Sequence, residues 1–253
     1  MSDKSMSITK HLQELRRRIL IVIIGFIIAF IIGFFLAKPA IVYLQHADIA
    51  NGIDLNNFRI TDPINIFMEM AFVIGIVMVS PLIMYQLWAF VSPGLYENER
   101  KVTLSYIPIS ILLFLGGVAF AYFILFPYVL HFMVHLSQSL GIHNVIGINE
   151  YFRFLLQITL PFGIIFELPI VVMFLTKLGL ITPQFLSKIR KYAYFVLLII
   201  AGIITPPDVM SQIIVMIPLV FLYELSLIIS KRTYKKKVLR EQQYLLQEEE
   251  EVE

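Results

Sequence analysis

The chain has 253 residues, 58% of them hydrophobic and only 15% charged, with a net charge of +2 and a mean hydropathy of +0.82. A soluble domain carries about 25% charged residues, so this composition excludes one, and so small a net charge gives no footing for nucleic acid. With no cysteine there is no disulfide, thiolate metal site or cysteine nucleophile.

Apolar runs of about 18 residues or more recur without the alternation of an outer-membrane barrel, which leaves an all-α polytopic membrane protein. Six spans are predicted, over 19–37, 67–91, 105–130, 154–177, 191–205 and 210–229. HLQELRRRIL, residues 11–20, stands before the first. Its arginines read as a topological anchor, but Glu14 among them weakens that anchor and calls for another role. The run that follows is too long for a signal-peptide core and lacks a cleavage site, so it reads as a retained span. Within it Gly25, Ala29 and Gly33 recur every fourth residue, a stripe that lets another helix approach closely.

In the second span Glu69 reads as interfacial and Gln86 as a hydrogen-bonding link between helices. SPGLYENERK follows, with Glu97 and Glu99 on the same membrane side as Glu14. His131 and His135, four apart after the third span, lack the Glu that a zinc-protease signature needs, since Phe132 stands there, and no metal is assigned. The fourth span holds Glu167 in PFGIIFELPI. A lone carboxylate there costs a few kcal/mol if ionised, so it must be protonated, partnered or open to a watery cavity. The fifth span is short and turns through TPPDV into the sixth, giving a tight hairpin. Pro81, Pro108, Pro127, Pro161, Pro169 and Pro218 lie in or at the ends of spans and favour kinks, which would let the helices lean into a concave bowl.

Of the 20 basic residues, all but Lys38, Arg59 and Arg153 fall on one side of these spans. The positive-inside rule then places both termini in the cytoplasm. Residues 1–230 read as one membrane domain and 231–253, ending QEEEEVE, as a charged cytoplasmic tail expected to be solvated and disordered. No glycine-rich phosphate loop and no Ser–His–Asp arrangement with supporting context appears, so neither an enzyme nor a cofactor is expected. Glu14 and Glu99 share one membrane face, and two carboxylates on a rim suit a planar guanidinium fork.

HLQELRRRIL, YQLWAFVSPGLYENER, FGIIFELPI and TPPDVMSQ, taken together and in this order, resemble the TatC family, the polytopic subunit of the twin-arginine protein translocase. The resemblance covers about His11 to Lys231. It implies a receptor for signal peptides with paired arginines, exporting folded proteins and driven by the proton-motive force. By the same resemblance the carboxylates Glu14 and Glu99 bind the arginine pair, with Glu97 ranked below Glu99, and Arg16 belongs to the same signal-peptide site. Glu167 becomes the functional intramembrane carboxylate. Thr205, Asp208 and Gln212 mark where single-span partners of the TatA and TatB type dock, alongside self-association in the cell membrane. The runner-up is a proton-coupled secondary transporter of a small solute using Glu167, which leaves Glu14 and Glu99 unexplained. A passive scaffold would make all three glutamates dispensable.

Overall fold

The structure is a computed structural model and describes residues 8–47, 55–91, 106–143, 145–205 and 209–250. In chain order the helices are α1 (Ile8–Gln45), α2 (Asp62–Val91), α3 (Tyr106–Phe120), α4 (Phe126–Ser139), α5 (Ile148–Ile165), α6 (Leu168–Lys177), α7 (Pro183–Lys188), α8 (Arg190–Ile204) and α9 (Val209–Glu250). Two short strands, β1 (Leu55–Asn56) and β2 (Ile146–Gly147), pair in parallel, Leu55 beside Ile146 and Asn56 beside Gly147. Among the described residues five stretches are long and apolar enough to cross a membrane: Leu12–Gln45, Asp62–Phe90, Ile107–Ser139, Ile148–Lys177 and Val209–Leu239. The remaining predicted span is α8, at 15 residues. At 1.5 Å per residue it reaches about 22 Å, short of a bilayer core of about 30 Å.

Two of the spans are each built from two helices, and proline explains both breaks. Between α3 and α4 the chain widens into a π turn over Ala121–Leu125, closed by the Phe126 N–H donating to the Ala121 carbonyl. Pro127 follows, with no N–H to give and a ring that crowds the carbonyl four residues back, and the wider turn absorbs both. Between α5 and α6 the break falls at Phe166 and Glu167, and Pro169 sits in the first turn of the helix that resumes. There the Glu167 N–H shifts to the Ile164 carbonyl at 3.1 Å, three residues back, and the Glu167 carbonyl takes up Ile170 and Val171 N–H groups at 3.0 Å.

The chain forms two compact units, one of residues 1–112 with 130–160, the other of 113–129 with 161–253. In the first, α1 lies along α2 and the small-residue stripe is the seam. A Cβ on Gly33 would come to 2.5 Å from the Ala71 carbonyl oxygen, and one on Gly75 to 3.1 Å from the Phe30 Cα. Ala29 and Ala37 are buried on the same seam, while Phe26 packs edge-on to Phe72 and Phe34 to Phe67. α2 starts at Asp62, whose carboxylate accepts the Arg59 N–H at 2.9 Å, and Pro63 follows where no donor is needed.

In the second unit α3 meets the end of α5 through two glycines. A Cβ on Gly117 would lie 2.6 Å from the Phe162 carbonyl oxygen, and one on Gly163 would lie 2.9 Å from the Phe114 ring. α6, α7 and α9 enclose Val172, Leu186 and Leu227. Beside this core Thr176 donates to the Val172 carbonyl at 2.8 Å, so its oxygen accepts from Ser230, also at 2.8 Å, tying α6 to α9.

One boundary departs from the sequence reading. The tail from residue 231, expected to be disordered, continues α9 as helix through Glu250. Lys, Arg, Leu, Gln and Glu dominate it, all strong helix formers, and a helix already nucleated in the span extends through them at little cost.

The seam predicts a sharp contrast between glycines. Gly33→Leu forces α1 off α2 and lowers the thermal unfolding midpoint in detergent, at a cost of about 3 kcal/mol. Gly116→Ala, with open space around its Cβ, leaves that midpoint unchanged or raises it.

Candidate functional site

Glu14 stands one turn before Arg18 on α1, and that spacing brings the two side chains together on one helix face. Arg18 donates to Glu14 Oε1 through both Nε, at 3.1 Å, and Nη2. Its remaining arm, Nη1, reaches Gln86 Oε1 on α2 at 3.2 Å. The carboxylate is 20% exposed and is thus held by an arginine that is itself held by the neighbouring helix. Its second oxygen, Oε2, is sheltered and accepts no hydrogen bond among the described residues. Gln86 acts as the interhelical link expected of it. The i, i+4 relation singles out Arg18, among the basic residues expected to anchor the helix and aim Glu14, as the one that holds it. Arg16 is exposed on the same helix. Glu97 and Glu99 lie outside the described residues, as does Asp208.

Glu167 lies at the break between α5 and α6 and is only 4% exposed. Gly117 and Gly163 hold this stretch against α3, with Phe120 near both Phe162 and Phe166 at ring distances of 5.9 and 5.7 Å. Glu167 thus takes the position that leads into α6, where the N-terminal end of a helix favours negative charge while apolar surroundings oppose it.

Around the α8–α9 hairpin the polar side chains turn inward. Thr205 is buried and donates to the Ala201 carbonyl at 2.8 Å. Gln212 Nε2 donates to the Leu198 carbonyl at 3.3 Å, across Gly202, whose absent Cβ leaves room for it. Outside, Phe195, Ile203, Met210, Ile217 and Phe221 are exposed, a continuous supply of apolar surface on both helices.

A third carboxylate escaped the sequence reading. Glu224, in FLYELSLIIS on α9, accepts from Arg190 Nη2 at 3.0 Å and from the Tyr194 hydroxyl at 2.5 Å. Next to it the Tyr223 hydroxyl donates to the Leu186 carbonyl at 2.7 Å. The signal was the one that exposed Glu167, a lone acid in an apolar run. Its pairing with two groups of α8 identifies it as the clasp of the hairpin.

The architecture is that of a multi-pass helical membrane protein. The TatC family, described as Sec-independent protein translocase protein, matches residues 10–218. The chain is 61% identical over 236 residues to the Sec-independent protein translocase protein TatCy of Bacillus subtilis (strain 168), covering 93% of each. It is 54% identical to the TatC of Halalkalibacterium halodurans, across 98% of this chain and 100% of that one. A crystal structure of the twin-arginine translocase receptor TatC superposes with a TM-score of 0.78 at 37% identity, over 88% of this chain and 99% of the other. The chain belongs to the TatC family of Sec-independent protein translocase proteins. Its members are translocase components and not enzymes.

The clasp carries its own test. Glu224→Gln keeps a polar partner for Tyr194 but removes the charge facing Arg190, and should cost about 1–2 kcal/mol, read as a lower unfolding midpoint in detergent. An unchanged midpoint would show that the hairpin stands without it.

Proposed function

We propose that this chain is the receptor and core subunit of a twin-arginine translocase, set in the cell membrane with both termini in the cytoplasm. It binds the paired arginines of a signal peptide through Glu14 and Glu99, and Glu97 contributes less. The reading rests on the way Glu14 is prepared. Arg18 occupies Oε1 and fixes the rotamer, while Oε2, sheltered and without a hydrogen bond among the described residues, gives a guanidinium an unused acceptor once the cover over it opens. A carboxylate already oriented loses little rotamer freedom on binding. An exposed Arg–carboxylate pair contributes at most about 1 kcal/mol, so recognition needs both acids at once, and the planar fork selects arginine over lysine. Arg16, exposed on the same helix as Glu14, adjusts the local charge.

The single-span partners, of the TatA type and the TatB type, dock on the α8–α9 hairpin around Thr205, Asp208 and Gln212. The exposed apolar side chains of both helices favour that surface. Copies of the chain associate with one another. Glu167 acts after signal binding, at the helix break, in assembly or transport energised by the proton-motive force. The excess of Lys and Arg on one side of the spans supports the orientation.

Signal-peptide crosslinking in isolated membranes tests the receptor step. Glu14→Gln and Glu99→Gln should each reduce crosslinking by about fivefold. The double variant should lose it while inserting normally, and full binding by that double variant would defeat the proposal. With Glu167→Ala, signal crosslinking persists and export of a folded reporter in a deletion strain falls. Normal export by that variant would leave Glu167 a structural role only.

A further inference from the structure

Where α9 passes from its apolar stretch into KRTYKKK, it forms one wall of an open groove of 610 Å³ whose other wall is α7. Lys188, Lys231 and Lys235 line it, with Ser187, Gln184 and the Tyr234 ring and hydroxyl between them. We propose that this groove binds the phosphodiester headgroup of an anionic phospholipid, a site separate from the signal-peptide carboxylates.

Three features carry this assignment. The first is charge without compensation: among the described residues no carboxylate pairs with Lys188, Lys231 or Lys235. Three ammonium groups brought to one groove repel one another, and an anion between them removes that repulsion. The second is rigidity. α7 is only six residues long, yet it is fastened at both ends and along its inner face. The Thr182 hydroxyl accepts the Phe185 N–H at 3.2 Å, Leu186 is buried against Val172 and Leu227, and the Leu186 carbonyl accepts from Tyr223. The groove therefore exists before any ligand arrives. The third is its depth in the membrane. Ser230 closes the apolar stretch of α9 and Lys231 opens the basic one, so the lysines stand at headgroup level. Leu180 and Phe185, next to and on α7, are exposed and give acyl chains an apolar surface on the stretch of chain that carries Lys188. A soluble anion would use the lysines but not this surface.

The headgroup is recognised by charge and hydroxyl donors, with ammonium groups as point charges rather than forks. Lysine and arginine are then interchangeable here, unlike at a twin-arginine site. The full chain, purified in a neutral detergent, is titrated with phosphatidylglycerol, phosphatidylcholine and inorganic phosphate, followed by native mass spectrometry and unfolding midpoint. One phosphatidylglycerol should be retained per chain and raise the midpoint, while phosphatidylcholine and inorganic phosphate do neither. The triple variant K188Q/K231Q/K235Q should weaken phosphatidylglycerol binding by about a hundredfold, and each single Lys→Gln change by about fivefold. K188R/K231R/K235R should keep it. Circular dichroism and elution volume establish folding, and the single variants decide the matter if the triple glutamine variant does not fold. Wild-type affinity in the glutamine variants overturns the proposal. So does equal binding of phosphatidylcholine, which would mean that charge is not read. Inorganic phosphate binding as well as the lipid would make this a free-anion site instead.

Discussion

In hydrocarbon no water completes a broken backbone hydrogen bond, and the fold of this chain is organised by that constraint. Each proline within a span removes one donor, and at two of them the chain rearranges locally. At Pro127 the answer is a π turn that shifts the bond from Phe126 to Ala121. At Pro169 it is a short interruption in which the Glu167 carbonyl serves two donors. The second solution places a carboxylate where the helix restarts. The position of Glu167 is thus a by-product of how the backbone is kept satisfied.

The same solvent removes the hydrophobic drive for helices to associate, because lipid tails are as apolar as leucine. Close backbone approach takes its place. Gly33 against Ala71, Gly75 against Phe30, and Gly117 against Phe162 are contacts that any larger residue would open. Such seams add many weak dispersion contacts and position what lies at their ends. The α1–α2 seam leads to Arg18 and Gln86, the Gly117 contact to the break before Glu167.

In each unit one carboxylate is tied to an arginine, on its own helix or on the adjoining one. Glu14 takes Arg18, and Glu224 takes Arg190 with Tyr194 in support. The two ties differ in what they leave open. Both oxygens of Glu224 are engaged across two helices, which suits a clasp. Only one oxygen of Glu14 is engaged, and the other, sheltered, accepts no hydrogen bond among the described residues.

Much of this was determined by the amino-acid sequence alone. Hydropathy placed six helical spans, the shortness of the fifth among them, because burial in lipid acts on each segment independently of the others. The recurrence of Gly25, Ala29 and Gly33 marked the seam, and isolation in an apolar run marked Glu167. The four motifs together pointed to the family. Only the tertiary structure decided that Arg18 holds Glu14 and is in turn held by Gln86, that Glu224 clasps α8, and that Gly117 and Gly163 lock the stretch before Glu167. It also carried α9 on as helix through Glu250. Partnerships between residues distant in sequence, such as Arg18 with Gln86 or Arg190 with Glu224, depend on which faces meet and at what height. Those quantities are set by packing between helices, and a one-dimensional pattern of polarity does not contain them.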